Sequence, residues 1–142
     1  MMRLLLLVVS ALAAMAQAAL AFELSSSRTV LDNGLQVLLI EDHRAPVVTH
    51  TVWYRVGSAD EVRGKTGLAH MLEHVMFKGT PSHPEGTFDR LIDAVGGEKN
   101  AFTQQDVTAY YEQVAVDQLQ LMMELEADRM RNLVLTEDSF RH

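Results

Sequence analysis

A five-residue segment that places His70, Glu73 and His74 at helical spacing constrains this chain more than any other feature. Thr66 is a suitable N-cap before the segment, and Gly79, followed two residues later by a proline, is a stop signal after it. At about 100° per residue, the two His lie roughly 40° apart and Glu73 lies roughly 60° to the other side of His70. The segment therefore predicts a helix with its three polar side chains on one face.

The apolar residues of this helix occupy the opposite arc, which we expect to be buried. They are Leu68, Met71, Leu72, Val75 and Met76. On the polar face, two imidazoles one turn apart can share a metal ion at about 2.0–2.1 Å each, which favours zinc. A neighbouring carboxylate can take a proton from a zinc-activated water. The alternative is a solvated helix face with a favourable Glu–His pair, and a zinc enzyme of this type needs a third protein ligand as well.

The N-terminus is typical of a secretory signal peptide. Arg3 precedes an apolar run from Leu4 to Met15, and small residues follow up to Ala21. The run is shorter than the about 20 residues of a typical transmembrane helix. We expect a signal peptide over residues 1–21, cut after Ala18 or Ala21, and a periplasmic or secreted product; an uncleaved anchor is the alternative.

Charge and cysteine content exclude several function classes. The formal net charge is −7, and removal of Arg3 with the signal peptide makes it −8. Such an acidic chain is a poor partner for nucleic acid or an anionic membrane surface. The chain has no cysteine, which excludes thiol catalysis and thiolate ligands within it.

The remaining patterns alternate between strands and helices. Asp32-Asn33-Gly34 predicts a hairpin turn before a strand over Leu35–Ile40, whose continuous apolar character predicts cover on both faces. Further predicted elements, in order, are a strand Val47–Val56, a helix Thr87–Val95, strands Lys99–Gln104 and Val107–Val114, a helix Asp117–Arg131 and a helix start at Thr136. His50 is expected to be a packed or surface residue and His83 a solvated one.

Several motifs together resemble those of the pitrilysin/insulinase zinc metallopeptidases, which include the mitochondrial processing peptidase. The family pattern reads TLDNGLxV, a strand ending in VGS, HxxEHxxFKGT and GGxxNAxT. This chain has VLDNGL at residues 30–35, YRVGS at 54–58, HMLEHVMFKGT at 70–80 and GGEKNAFT at 96–103. The resemblance covers essentially everything after residue 21 and implies an α/β (α+β) fold, a largely antiparallel sheet covered by helices. Residues 22–142 would be the N-terminal part of such a domain.

Carried over by residue, the resemblance implies that His70 and His74 bind Zn²⁺ and that Glu73 is the general base. Asn100, Ala101, Phe102 and Thr103 would form an edge strand to which a peptide or unfolded protein substrate adds as a further strand. The family's third ligand is a Glu on a later helix, expected beyond His142. Glu124 and Glu126 lie on the preceding helix, where we expect them to face solvent, and neither is assigned.

The implied activity is that of a secreted zinc endopeptidase. A second homologous domain or subunit would complete its active site. Because the third ligand is expected beyond His142, the 142 residues alone are expected to fold poorly, to bind zinc weakly and to be inactive. The first alternative is a non-catalytic peptide-binding or assembly subunit of the same fold. A second, an S-ribosylhomocysteine lyase type of enzyme, shares an inverted His/Glu motif but uses Cys, which this chain lacks.

Overall fold

In a computed structural model of the chain, residues 25–137 are described. The chain divides into two compact units, residues 1–45 and 46–142. The predicted signal peptide lies outside the described residues, and so does most of the helix predicted to begin at Thr136. Within the described range, no helix is both long enough and apolar enough to cross a membrane.

The first unit contains a β-hairpin, in which β1 (Ser25–Val30) pairs antiparallel with β2 (Gln36–Glu41). Its turn has Gly34 at a φ of 86°, a left-handed conformation that glycine adopts without strain. The predicted hairpin is therefore confirmed. The prediction that the apolar β2 is covered on both faces is wrong for this chain, since all of its residues are exposed. The described part of this unit offers no third strand or helix to pack against them.

The second unit is built on a three-stranded antiparallel sheet in the order β3–β5–β4. These strands span Val47–Tyr54 (β3), Glu98–Thr103 (β4) and Thr108–Ala115 (β5). The antiparallel arrangement agrees with the predicted fold class. Among the described strands β4 forms one edge of the sheet, and its backbone on that side has no strand partner within residues 25–137.

Among residues 25–137, three α-helices accompany the sheet: α1 (Leu68–Val75), α2 (Thr87–Ala94) and α3 (Leu119–Asn132). Short 3₁₀ turns at Ser58–Asp60 and Val116–Gln118 precede α1 and α3. Helix α2 begins at Thr87 as predicted, whereas Asp117, the predicted start of the last of these helices, lies in the 3₁₀ turn before α3.

The helices cover one face of the sheet. Alternate residues of β5 point towards them and are buried, from Thr108 through Tyr110 and Glu112 to Val114. The core consists of buried residues from α2, β5 and α3, namely Ile92, Val114, Met122 and Leu125. The opposite face of the sheet is more open, and Trp53 is 61% exposed there.

The helix-covered face also holds a buried charge cluster, which comprises Glu112, Glu126, Arg129 and the half-buried His50. The Arg129 guanidinium donates to both carboxylate oxygens of Glu126. On the other side, His50 Nδ1 lies 3.1 Å from Glu112 Oε2. The expectation that Glu126 faces solvent is therefore wrong: it is 1% exposed because α3 turns it onto the sheet, where Arg129 pairs with it.

Candidate active site

The start of α1 is held by a carboxylate from the preceding loop. Glu61 accepts hydrogen bonds from the backbone N–H groups of Gly67 at 2.9 Å and Ala69 at 2.8 Å. These bonds lower the pKa of Glu61 below its ordinary value. Thr66 is not the N-cap, since Gly67 occupies that position with a φ of 92° and no side-chain cap bond. A side chain six residues upstream satisfies helix donors that the local sequence was expected to satisfy.

His70 and His74 are brought together as the sequence predicts. Their rings have centroids 4.8 Å apart, and the two Nε2 atoms are separated by 3.3 Å. Two ligands of a tetrahedral zinc ion at about 2.0–2.1 Å would be about 3.3–3.4 Å apart. An N–H···N hydrogen bond in one tautomer would give a similar distance. The two imidazoles therefore fit a shared zinc ion without any change in their spacing.

Residues 25–137 do not supply a third ligand to these two His. No group of three or more His, Cys, Asp or Glu side chains in that range is arranged to hold a metal. Glu124 is exposed and accepts a hydrogen bond from Gln120, while Glu126 belongs to the buried charge cluster. The prediction that the third ligand lies beyond His142 stays a prediction.

The expectation that His83 is solvated is wrong. His83 is not simply solvated, since its Nδ1 lies 2.8 Å from Asp128 Oδ2 and its side chain is only 33% exposed. Thr80 donates to the same carboxylate. Hydrogen bonds from His83, Thr80 and Asn132 lower the pKa of Asp128 to about 2. This contact joins the loop that follows α1 to α3.

The face of α1 that packs on the sheet is only partly the one that its apolar residues predict. Val75 and Met76 are buried as predicted, at 2% and 8% exposed. Glu73 is also buried, at 9% exposed, whereas Leu68, Met71 and Leu72 are between 37% and 56% exposed. The helix turns its Glu73 side towards β4, where Thr103 Oγ1 donates to Glu73 Oε2 at 2.5 Å. The two imidazoles remain exposed beside it.

A cavity of about 500 Å³ lies where α1 meets the edge strand β4. It is lined by His70 and Glu73 from α1, by Ala101, Phe102 and Thr103 from β4, and by Ser58, Glu61, Gly67, Gln104 and Gln105 from the adjoining loops. The predicted base, one predicted metal ligand and three of the four predicted substrate-binding residues thus share one cavity. Asn100 does not line it, and its side-chain oxygen accepts from the backbone N–H of Ala101 at 2.8 Å.

Comparison with known proteins assigns the chain to a family. The sequence profile described as "Insulinase (Peptidase family M16)" matches residues 36–142. The chain belongs to the insulinase family of peptidases. The chain is similar in sequence to the zinc protease PqqE of Helicobacter pylori. The two are 41% identical over 111 residues, which are 78% of this chain and 25% of that protein.

Solved structures agree with this assignment. A crystal structure of a protease from Helicobacter pylori is matched with a TM-score of 0.80 and 39% identity, over 84% of this chain and 29% of that one. Pitrilysin is matched with a TM-score of 0.74 and 29% identity, over 83% of this chain and 13% of that one. The family M16 chain spans about a quarter of the length of the curated relatives it matches.

Some residues that shape the cavity between α1 and β4 were not predicted from the sequence. Gly57 lies so close to the loop after β4 that an added Cβ would be 2.3 Å from the carbonyl oxygen of Gln104. That approach allows Ser58 N–H and Ala59 N–H to donate to the carbonyls of Gln104 and Gln105. Gly57 and Ser58 are within the VGS motif, which is the signal that could have located them; Glu61, Gln104 and Gln105 have no such signal.

Proposed function

We propose that the protein containing this chain is an exported zinc-dependent endopeptidase in which His70 and His74 bind the metal and Glu73 is the general base. The observation that carries the proposal is the pair of Nε2 atoms 3.3 Å apart beside a buried carboxylate. His70 and Glu73 border a cavity that reaches an edge strand. Membership of a family with zinc proteases among its relatives supports the same reaction class.

When bound, zinc would polarise the scissile carbonyl and lower the pKa of water. The chain's own contribution is to hold the metal with two neutral imidazoles and to accept a proton from the attacking water at Glu73. The carboxylate is one residue before His74, so the helix fixes its distance from the imidazoles. Bound at one oxygen by Thr103, it needs little reorganisation during the reaction.

The edge position of β4 supports a peptide as the substrate. An extended peptide added beside β4 would form backbone hydrogen bonds, which recognise any sequence, while alternate side chains would enter neighbouring pockets. Ala101, Phe102 and Thr103 of β4 line the same cavity as Glu73. A peptide on this edge would therefore pass the base. A second homologous domain or subunit, which would close over the peptide, is part of the same proposal.

The alternative function is that of an assembly subunit without peptidase activity. It is favoured by the 36% identity over 121 residues to human cytochrome b-c1 complex subunit 1, of which this chain covers 25%. The presence of His70, Glu73 and His74 favours the peptidase. Retained zinc together with peptide hydrolysis distinguishes the two functions, since an assembly subunit requires neither.

The test uses the protein expressed from its complete reading frame. Glu73→Gln should keep stoichiometric zinc, because both imidazoles remain, and should lose about 10²- to 10⁴-fold of the peptide hydrolysis rate. His70→Ala should lose the metal itself, which metal analysis of the purified protein would measure. Glu124→Gln is the matched control, since it makes the same change at an exposed carboxylate on α3. Full hydrolysis by zinc-loaded Glu73→Gln would remove Glu73 from the mechanism.

A further inference from the structure

The strongest unexplained contact near the base is the one between Glu73 and Thr103. Thr103 ends β4, and its Oγ1 lies 2.5 Å from Glu73 Oε2 on the buried side of α1. Asn100 and Phe102 alternate with Thr103 along the strand and so project from the opposite face of the sheet. Thr103 therefore points its side chain at the base, while its backbone stays on the edge strand.

Proton counting assigns the direction of this hydrogen bond. Each hydroxyl has one proton to donate. Thr108, the register partner of Thr103 on β5, has its Oγ1 3.0 Å from the carbonyl oxygen of Val56, which can only accept. The two hydroxyl oxygens are 3.4 Å apart, much farther than the contact to Glu73. The Thr108 proton thus goes to Val56, and the Thr103 proton goes to the carboxylate.

We propose that Thr103 is a positioning residue for the base: its hydroxyl holds Oε2 of Glu73 and leaves Oε1 to take the proton. The inference rests on the proposed function. A charge-assisted bond of this kind is shorter and stronger than one between neutral groups. Because the strand fixes the threonine and Thr108 confines its hydroxyl from behind, the carboxylate is held in one orientation within the cavity.

If Thr103 served only to bind the substrate, replacing its side chain by that of Val would leave kcat unchanged. A peptide added beside β4 would bond to the backbone, which a change of side chain leaves in place. Thr103→Val keeps the shape and the strand preference of the residue and removes only the hydroxyl. If the hydroxyl positions Glu73, Thr103→Val should lower kcat by about 10- to 100-fold and leave KM unchanged. Thr103→Ser should restore kcat because it returns the hydroxyl.

A double variant separates positioning from general damage. If Thr103 acts through Glu73, adding Thr103→Val to Glu73→Gln should cause no further loss of kcat, since the group being positioned is already gone. If Thr103 were only structural, the double variant would show the product of the two separate losses of kcat. Thr51→Val is the matched control, because it makes the same substitution on β3 on the face away from α1, and it should keep full activity.

Crystal structures of the zinc-loaded protein and of both Thr103 variants provide a readout besides activity. The Glu73 carboxylate should leave its position in Thr103→Val and keep it in Thr103→Ser. An unmoved carboxylate in Thr103→Val, an unchanged kcat, or an equal loss in the Glu73→Gln background would each overturn the proposal. If the wild-type protein hydrolyses no peptide, or Glu73→Gln is fully active, the proposed function fails, and the positioning of a base fails with it. If Glu73→Gln is inactive and Thr103→Val is active, only the inference about Thr103 fails.

Discussion

Replacement of Arg129 by Met should destabilise the protein strongly. Arg129 is 3% exposed and is the strong base of the buried charge cluster, where Glu112 and Glu126 are each 1% exposed. Its guanidinium also lies 4.3 Å from the Tyr110 ring centroid and 5.0 Å from that of Phe77. Met fills much of the same space, so the main loss is electrostatic. Removing one partner of a buried pair costs about 3–5 kcal/mol.

The cost should depend on pH because of Glu126. Burial raises the pKa of Glu126 to about 7, and a hydrogen bond with Glu112 adds to the shift. The folded-state value lies above the ordinary 4.5, so the native state binds more protons between the two values. This contribution to stability is complete below pH 4.5 and is lost as the pH rises to about 7. At roughly 1.4 kcal/mol per pH unit between these two values, the contribution to stability amounts to about 3 kcal/mol.

These relations predict a specific pattern of variants. Arg129→Met should cost more at pH 8 than at pH 5, because it removes the guanidinium that lowers the pKa of Glu126. At pH 8 the buried carboxyl must then either take up a proton or stay charged without its partner, whereas at pH 5 it is already protonated. Adding Glu126→Gln should recover most of the loss at pH 8, because the amide is neutral and can donate to Glu112. Glu126→Gln alone should flatten the stability profile between pH 4.5 and 7.

The assay is hydrogen exchange of the full-length protein, read by mass spectrometry on peptides from β5 and α3, which gives the opening free energy of this region. Glu124→Gln is the control for Glu126→Gln, as it alters an exposed carboxylate on the same helix. A loss below about 1 kcal/mol for Arg129→Met at pH 8, or no recovery in the double variant, would refute the reasoning.

Two further predictions concern other parts of the chain. Gly57→Ala should destabilise the protein by about 2 kcal/mol or more and reduce activity, because the new Cβ meets the backbone of Gln104 and Gln105. Ala59→Gly, at the exposed neighbouring turn, is the control. An unchanged melting temperature of Gly57→Ala would contradict the steric argument. Export predicts that the mature protein begins near Ala19 or Phe22 and is found in the periplasm or medium, which N-terminal sequencing would measure. An intact Met1 on a membrane-bound product would indicate an anchor instead.

Local patterns were enough to predict what depends on neighbouring residues. The i,i+4 spacing of His70 and His74 places them one helical turn apart, within reach of the 3.3 Å approach that their Nε2 atoms make. In the same way, Asn33-Gly34 predicts the hairpin turn between β1 and β2. The order of strands and helices also follows from hydrophobic period and turn residues, with errors of a few positions at the ends. These features were accessible because their energetics involve residues close in sequence.

The tertiary structure decided which faces are buried. The apolar pattern of this helix predicts that Leu68, Met71 and Leu72 are covered along with Val75 and Met76. Only the last two are buried, together with Glu73. The sequence predicts that Glu126 is a helix-surface carboxylate, but Arg129 and the sheet enclose it. A side chain's burial depends on which distant element packs against it, and no local period contains that information.

The same reason explains the polar contacts that only the structure reveals. Glu61 caps α1, Asp128 pairs with His83, and Thr103 holds Glu73 across 30 residues of chain. Each is a single hydrogen-bonding partner selected by the meeting of two elements, and many other polar residues could have made it. The sequence by itself thus determined the chemical groups of the candidate site and their helix, whereas tertiary packing determined the environment of the proposed base, Glu73.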